Sequence, residues 1–437
     1  MLRVLKFGGS SLADAQQFEK VANIIKADDT RRFIIVSAPG KRFSDDEKVT
    51  DMLYECYNLA SKKLAIDEIF AKIEARYNGI ISDLKLDLSL QSEFDRIRTA
   101  ILNHAGRDYI ASRGEYLNAI VMANYLGFDF VDAESGIFFN DNGKLDNKKT
   151  YETIEQILSE HTHAVIPGFY GVMPNGTIKT FTRGGSDITG SIVARAMSAD
   201  IYENWTDVSG MLMADPRCVK NPKVIEHITY RELRELAYMG ATVLHEDAIF
   251  PVRECGIPIN IRNTNAPADA GTMIVSEVDN SFDNEVITGI AGKKGFSIIT
   301  IEKDMMNSEI GFGRRVLEVL ENHQISWEHL PSGIDAMSLV IATDVIKDCK
   351  ESIIADIIKK TSPDSVVIED GLALVSVVGR SMVGNKGTAG RVCSAIAEAQ
   401  VNIKMIDQGS SEINIIVGVS EDDFLTALNA IYNEFVG

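Results

Sequence analysis

The last third of the chain repeats itself at a fixed spacing, and no other feature limits its fold so tightly. Phe296 to Glu302 is echoed by Leu372 to Gly379, and the loop and helix opening near Gly311 by those near Gly387. Ile325 to Leu330 is echoed by Val401 to Ile406, and Ala336 to Thr343 by Glu412 to Val419. The offsets agree: 372−296, 401−325 and 412−336 all equal 76. Each copy reads strand, helix, strand, strand, helix, and the first adds a strand at Ser365 to Glu369, which completes a βαββαβ ferredoxin-like unit. The second copy stops at its helix, Asp422 to Phe435. A sheet left open there exposes unpaired backbone groups. A strand upstream of the first copy, around Val286 to Ala291, is therefore expected to complete the second, so that the two copies interlace.

Upstream of Ile274 the pattern differs. Short apolar runs end in Gly or Pro and are followed by longer segments with helical spacing, which implies an α/β domain with a largely parallel sheet. Leu2 to Phe7, Phe33 to Ser37, Ala164 to Pro167, Ile201 to Trp205 and Pro258 to Ile261 read as strands covered on both faces. Ala60 to Arg113 reads as one helical block. The polar stretch Asp279 to Asn284 separates the regions, giving an α/β domain over 1–284 and the repeat pair over 285–437. The first copy spans about 296–371, and the second about 372–437 plus strand 286–291.

Bulk properties exclude several functions. With 44 Lys and Arg against 63 Asp and Glu, the net charge of −19 disfavours a nucleic-acid binder, so any phosphate must be held locally. No stretch reaches membrane-span length and the N-terminal segment lacks a signal-peptide core, so a cytoplasmic protein without membrane partners is expected. Five scattered cysteines without CxxC spacing suggest reduced, mostly buried thiols and no metal site.

Two glycine turns carry the chemistry. The first strand delivers Lys6 into Gly8, Gly9, Ser10 and Ser11, where bare amides and a helix start near Asp14 can converge on an anion. Lys6 precedes the glycines, so this is not the GxxxxGK[ST] phosphate loop, and no dinucleotide fingerprint is present. A second turn, Thr182-Arg183-Gly184-Gly185-Ser186-Asp187, opens another helix. Arg183 has the planar fork that grips a carboxylate, and Asp187 is placed to orient Lys6 or a bound metal. Thr206 and Asp207 end a strand, where open α/β sheets bind ligands, and Asp215-Pro216-Arg217 follows. Arg113-Gly114-Glu115 starts an apolar helical stretch. There Glu115 reads either as a helix-capping acid or as a partner for a substrate ammonium.

KFGGSS at Lys6, SAPG at Ser37, VTDML at Val49, RGE at Arg113, TRGGSD at Thr182, TDVSG and DPR between Thr206 and Arg217, and the doublet from Phe296 to Phe435 together resemble the aspartokinases, in order and over essentially the whole chain. The resemblance implies the amino-acid-kinase fold, an αβα sandwich with a mostly parallel sheet, followed by two ferredoxin-like ACT domains. It also implies transfer of phosphate from ATP with Mg²⁺ to the side-chain carboxylate of L-aspartate. It makes Lys6 and Asp187 catalytic, and Lys6, Gly8, Gly9, Ser10, Thr206, Asp207 and Arg217 nucleotide-binding. Thr50, Glu115, Arg183 and Ser186 become aspartate-binding, with Glu115 taking the amino group. Two departures concern the nucleotide side: Leu212 stands where many relatives have Tyr, and Thr242 where they have Lys in the Gly240 to Glu246 motif. In the first repeat, Met306, Ser308, Gly311, Phe312, Asp335 and Ser338 are expected to bind an effector. The similarity is to lysine-inhibited members, so lysine is favoured over threonine, with homo-oligomers forming through the ACT domains. A sensor whose kinase domain has lost catalysis, or a related kinase acting on another acid, remains the alternative; retention of Lys6 and Asp187 argues against the first.

Overall fold

The computed structural model describes residues 1–437 except Arg183, Thr242, Val243, His245 and 279–284. The expectations placed on Arg183 and Thr242, and the polar separator, lie outside the described residues. Two compact units form. The first comprises Met1–Met211, Val224–Tyr230 and Thr242–Val278, and the second Leu212–Lys223, Arg231–Ala241 and Asp279–Gly437.

The first unit is built on an eight-stranded sheet. Its strands are β1 (Arg3–Phe7), β2 (Arg31–Val36), β3 (Asp129–Phe130), β4 (Ala164–Pro167), β7 (Ile201–Thr206), β8 (His227–Thr229), β9 (Ile259–Asn263) and β10 (Thr272–Val275), with a separate hairpin of β5 (Tyr170–Val172) and β6 (Ile178–Thr180). The order is β3-β4-β2-β1-β7-β9-β10-β8. Every pair is parallel except β9 with β10. Central strands buried on both faces must be apolar throughout, and Val4, Leu5, Phe7, Phe33, Ile34, Ile35 and Val36 are fully buried.

Helices cover both faces. On one side lie α1 (Ala15–Lys26), α2 (Val49–Ser61), α3 (Asp67–Asp83), α4 (Gln91–Leu102) and α5 (Arg107–Leu126). On the other lie α6 (Asn147–Ser159), α7 (Gly185–Ala196) and, after α8 (Tyr230–Tyr238), α9 (Glu246–Arg253). The expected helical block is thus broken into α3, α4 and the start of α5, with chain reversals at Lys85 and His104, both at positive φ. Glu115 sits eight residues into α5 rather than at a helix start, which removes the capping alternative. Burial also differs from expectation for the cysteines: only Cys56 is buried, Cys255 is exposed, and all five are free.

In the second unit, β11 (Gly289–Glu302), β12 (Ala336–Ala342), β13 (Ser365–Val378), β14 (Met405–Asp407) and β15 (Asn414–Ser420) form one sheet in the order β12-β11-β13-β15-β14. The long strands β11 and β13 run antiparallel along both repeats. Gly289 to Lys293 pairs with Val378 to Leu374 of the second repeat, and Ile298 to Glu302 with Glu369 to Ser365 of the first. Helices α10 (Phe312–Asn322), α11 (Thr343–Ile346) and α12 (Lys350–Thr361) belong to the first repeat, and α13 (Thr388–Glu398) and α14 (Phe424–Val436) to the second. The expected strand Ile325 to Leu330 is reduced to one isolated bridge at His329, with another following at Ser332. Between them Pro331 lacks the N–H a regular ladder needs.

Two segments from within the catalytic sequence fold with the repeats. Leu212–Lys223 is tied down where Asn429 donates to the Cys218 carbonyl (2.9 Å), the Lys223 amide donates to the Tyr432 hydroxyl (2.9 Å), and the Ile290 amide donates to the Met213 carbonyl (2.6 Å). In α8, buried Glu232 accepts from the Arg380 amide at 2.8 Å and from the Thr288 hydroxyl.

Candidate active site

Lys6 and Asn204 are register partners on parallel strands β1 and β7, so their side chains leave the sheet on the same face. On that face α7 offers Asp187 in its first turn. Lys6 Nζ lies 2.5 Å from Asp187 Oδ1, and Asn204 Nδ2 donates to the same oxygen at 2.7 Å. Lys6 is 8% exposed, which strengthens the pair relative to one in water. Its ammonium stands 3.7 Å from the point where a Cβ on Gly8 would sit, so the lysine lies directly over the first glycine turn.

Why this turn is glycine is visible in what surrounds it. A Cβ on Gly9 would fall 2.8 Å from the Ala38 carbonyl oxygen, and one on Gly40 would fall 2.6 Å from the Gly9 carbonyl carbon. The Gly40 amide donates to the Gly9 carbonyl at 2.8 Å, locking the two loops together. Gly40 is held in turn by buried Arg76, which donates to its carbonyl (2.9 Å) and to Asp46 (2.7 Å). Hydrogen bonds from Arg42 and the charge of Arg76 hold the Asp46 carboxyl well below the usual carboxylate range. Ser11 reaches across to Thr264 at 2.8 Å. At the second turn Gly184 takes φ 57°, the left-handed region that lets the chain enter α7 abruptly. Ser186 is buried immediately behind it.

On the other helical layer, Thr50 occupies the second position of α2, half-buried, and Glu115 is 5% exposed in α5. Burial pushes the Glu115 carboxyl up to about 8, against the opposing pull of the Ala38 amide and Arg113. Its Oε2 has no hydrogen-bond partner among the described residues. An unpaired buried carboxyl is costly unless something charged meets it. Arg113 does not serve it directly; the guanidinium lies over the rings of Tyr109 and Tyr116, each 4.5 Å away. Thr206 and Asp207 stand at the carboxyl end of β7, with the Thr206 hydroxyl donating to Asp207 at 3.2 Å.

The first unit therefore brings together Lys6, Gly8, Gly9, Ser10, Ser186, Asp187, Thr206 and Asp207 around the carboxyl ends of β1 and β7. Arg217 is described with the second unit, exposed and engaged by Asp215 at 2.6 Å. Sequence reasoning missed Asn204, although a polar residue inside the run IYENWT was a usable signal. Its neighbour Glu203 faces the opposite way and is a scaffold acid, accepting from Arg31 at 3.0 Å and Arg3 at 2.8 Å.

In the first repeat of the second unit, the expected effector residues gather in two loops joined by hydrogen bonds. The Met305 amide donates to Asp335 Oδ1 (2.9 Å) and the Asn307 amide to the Ile334 carbonyl (3.0 Å). Ser308 donates to the Met305 carbonyl at 2.8 Å, and Gly311 begins α10 at φ 79°. Met306 and Phe312 point into the apolar core with Met337, so a ligand would meet their backbone and not their side chains. Ser338 alternates to the opposite face of β12 from Met337 and Leu339.

A buried lysine–carboxylate pair over a glycine turn, at the carboxyl end of a parallel sheet, defines an anion-handling site of the kind used for phosphoryl transfer. Comparison with known proteins gives the class a family. Residues 1–263 match the amino acid kinase family and residues 375–435 an ACT domain. Aspartokinase 3 of Bacillus subtilis is 40% identical, covering 99% of this chain and 98% of that protein. The crystal structure of Clostridium acetobutylicum aspartate kinase superposes with a TM-score of 0.90 at 51% identity, covering 99% of both chains. Escherichia coli aspartokinase III in complex with aspartate and ADP shares the fold, with a TM-score of 0.75 at 23% identity over 99% of both chains. The chain belongs to the amino acid kinase family and, within it, to the aspartokinases.

Proposed function

We propose that the chain transfers the γ-phosphoryl group of ATP to the side-chain carboxylate of L-aspartate, forming 4-phospho-L-aspartate and ADP. The observation that carries this reading is the Lys6–Asp187–Asn204 cluster over the first glycine turn, with an unpaired buried carboxyl, Glu115, available for an ammonium group. The full-length likeness to aspartokinases supports the choice of acid.

The mechanism follows from charge. A free aspartate side chain titrates near ~3.9, so the acceptor is already ionised and needs no general base. What must be overcome is repulsion between two anions. Asp187 and Asn204 fix Lys6, whose ammonium and the Gly8 and Gly9 amides then stabilise charge on the transferred group. Glu115 takes the acceptor's ammonium, Ser186 and Thr50 line its path, and Arg183 grips a carboxylate, so the acceptor is held in line. Among the described residues no group of three or more His, Cys, Asp or Glu could hold a metal. Mg²⁺ would come with the phosphates, where it needs only one or two carboxylates. When bound, it neutralises phosphate oxygens. Thr206 and Asp207 are assigned to the nucleotide.

We further propose that residues 1–284 carry the reaction and 285–437 restrain it. Lysine would bind at the loops of Ser308, Gly311 and Asp335, with Ser338 and the backbone of Met306 and Phe312 contributing, in a homo-oligomer joined through the ACT units. Among the described residues no helix is long and apolar enough to cross a membrane. The test is ADP release and hydroxamate trapping of the acyl phosphate with L-aspartate and MgATP, with lysine or threonine added. Absence of aspartate-dependent turnover overturns the activity; inhibition by threonine alone overturns lysine.

A further inference from the structure

Asn118 lies one helical turn beyond Glu115 on the same face of α5 and is fully buried. Its Nδ2 donates to the Ser37 carbonyl at 2.7 Å, while the Ala38 N–H faces Glu115. That carbonyl and that N–H belong to a single peptide unit. Two side chains of one helix thus hold one peptide of the SAPG loop from its two polar ends. The contact also fixes which way the amide points. A carbonyl can only accept, so the NH₂ group must face Ser37 and Oδ1 must face elsewhere.

Asn118 Oδ1 and Glu115 Oε2 both lack a hydrogen-bond partner among the described residues. A buried acceptor left unpaired costs about 1–3 kcal/mol. These two lie beside one loop and close on one helix face, and once Glu115 is ionised both can only accept. In the ionised state that binds a cation, Glu115 and Asn118 Oδ1 cannot satisfy one another. An ammonium group has three N–H donors and no acceptor, so it has donors enough for both.

We infer that Asn118 is a second acceptor for the substrate's ammonium group and so a specificity-determining residue beside Glu115. This rests on the aspartate reading above and extends it. The competing role is purely structural: Asn118 would only anchor Ser37. The two roles separate kinetically, because the loop it anchors packs on the phosphate turn through Ala38 and Gly9. Loss of an anchor is felt by MgATP and by turnover, whereas loss of an ammonium acceptor is felt by aspartate.

The experiment compares Asn118→Ala with wild type for the KM of L-aspartate, the KM of MgATP and kcat. A hydrogen bond to a charged group predicts a rise of about tenfold or more in the aspartate KM, exceeding the change in either other constant at least about threefold. An aspartate KM within about twofold of wild type overturns the inference, as does an equal shift in MgATP KM or kcat. Should the alanine variant fail to fold by circular dichroism, Asn118→Ser, which shortens the side chain and withdraws the acceptor, is read the same way. Wild type that does not phosphorylate aspartate removes the proposed function itself; active wild type with an unmoved aspartate KM in the variant removes only Asn118.

Discussion

Glu115 makes aspartate binding depend on pH in a direction that the structure fixes. Burial raises its carboxyl from an ordinary 4.5 to about 8, so near neutrality the ligand-free protein holds Glu115 mostly protonated. A protonated carboxyl cannot neutralise an ammonium, and binding must first release that proton. The apparent aspartate KM then scales as one plus the ratio of protonated to ionised Glu115. With a value of about 8, that factor is of order ten or more at about pH 6.5 and close to one at about pH 8.5, so the KM should fall by roughly an order of magnitude over two units. The assay is steady-state ADP release at saturating MgATP across that range, with Glu115→Gln in parallel. The glutamine variant cannot ionise, so its aspartate KM should be high and flat. A wild-type KM that stays flat across the range refutes the reasoning. Stability gives an independent readout of the same proton. A carboxyl whose folded value is raised favours the folded state below its free value, and that advantage is lost as pH climbs from about 4.5 towards about 8. The ligand-free protein should therefore melt at lower temperature at pH 8 than at pH 5, and saturating aspartate should reduce the difference.

Other parts of the site make separate predictions. Lys6→Ala should lower kcat by about 10²–10³-fold, the typical loss for a donor aimed at developing charge, while the aspartate KM moves far less; near-normal turnover would remove Lys6 from the mechanism. Gly40→Ala puts a methyl group 2.6 Å from the Gly9 carbonyl carbon and 2.8 Å from the Ser10 nitrogen. It should raise the MgATP KM and destabilise by about 1–3 kcal/mol, read by nucleotide titration and thermal melting, and no change in either would contradict the contact. Arg76→Met strips buried Asp46 of one of its two guanidinium partners. Breaking such a pair costs up to about 3–5 kcal/mol, less what Arg42 retains, and chemical denaturation measures it.

What the sequence revealed and what it hid have physical causes. Alternation of apolar runs with helical segments forces a parallel sheet, so β1, β2, β4, β7 and β9 were legible to within two residues at each end. Glycine pairs at helix starts announced Lys6 and Asp187 because few other reasons exist for bare backbone there. The polar residue in IYENWT marks Asn204 as unusual, but its partner stayed hidden because that depends on strand order: β1 and β7 are neighbours in the sheet yet about 200 residues apart in the chain. The 76-residue repeat shows the opposite failure: it promised a strand over Ile325 to Leu330, where only an isolated bridge at His329 forms. Glu115 and Asn118 expose a deeper limit. Helix α5 is buried on nearly every side, so it has no polar stripe against which an inward-facing acid or amide would stand out. Only when α5 is placed against the Ser37 loop do two unpaired acceptors appear, and it is the absence of donors for them that points to the substrate's ammonium group.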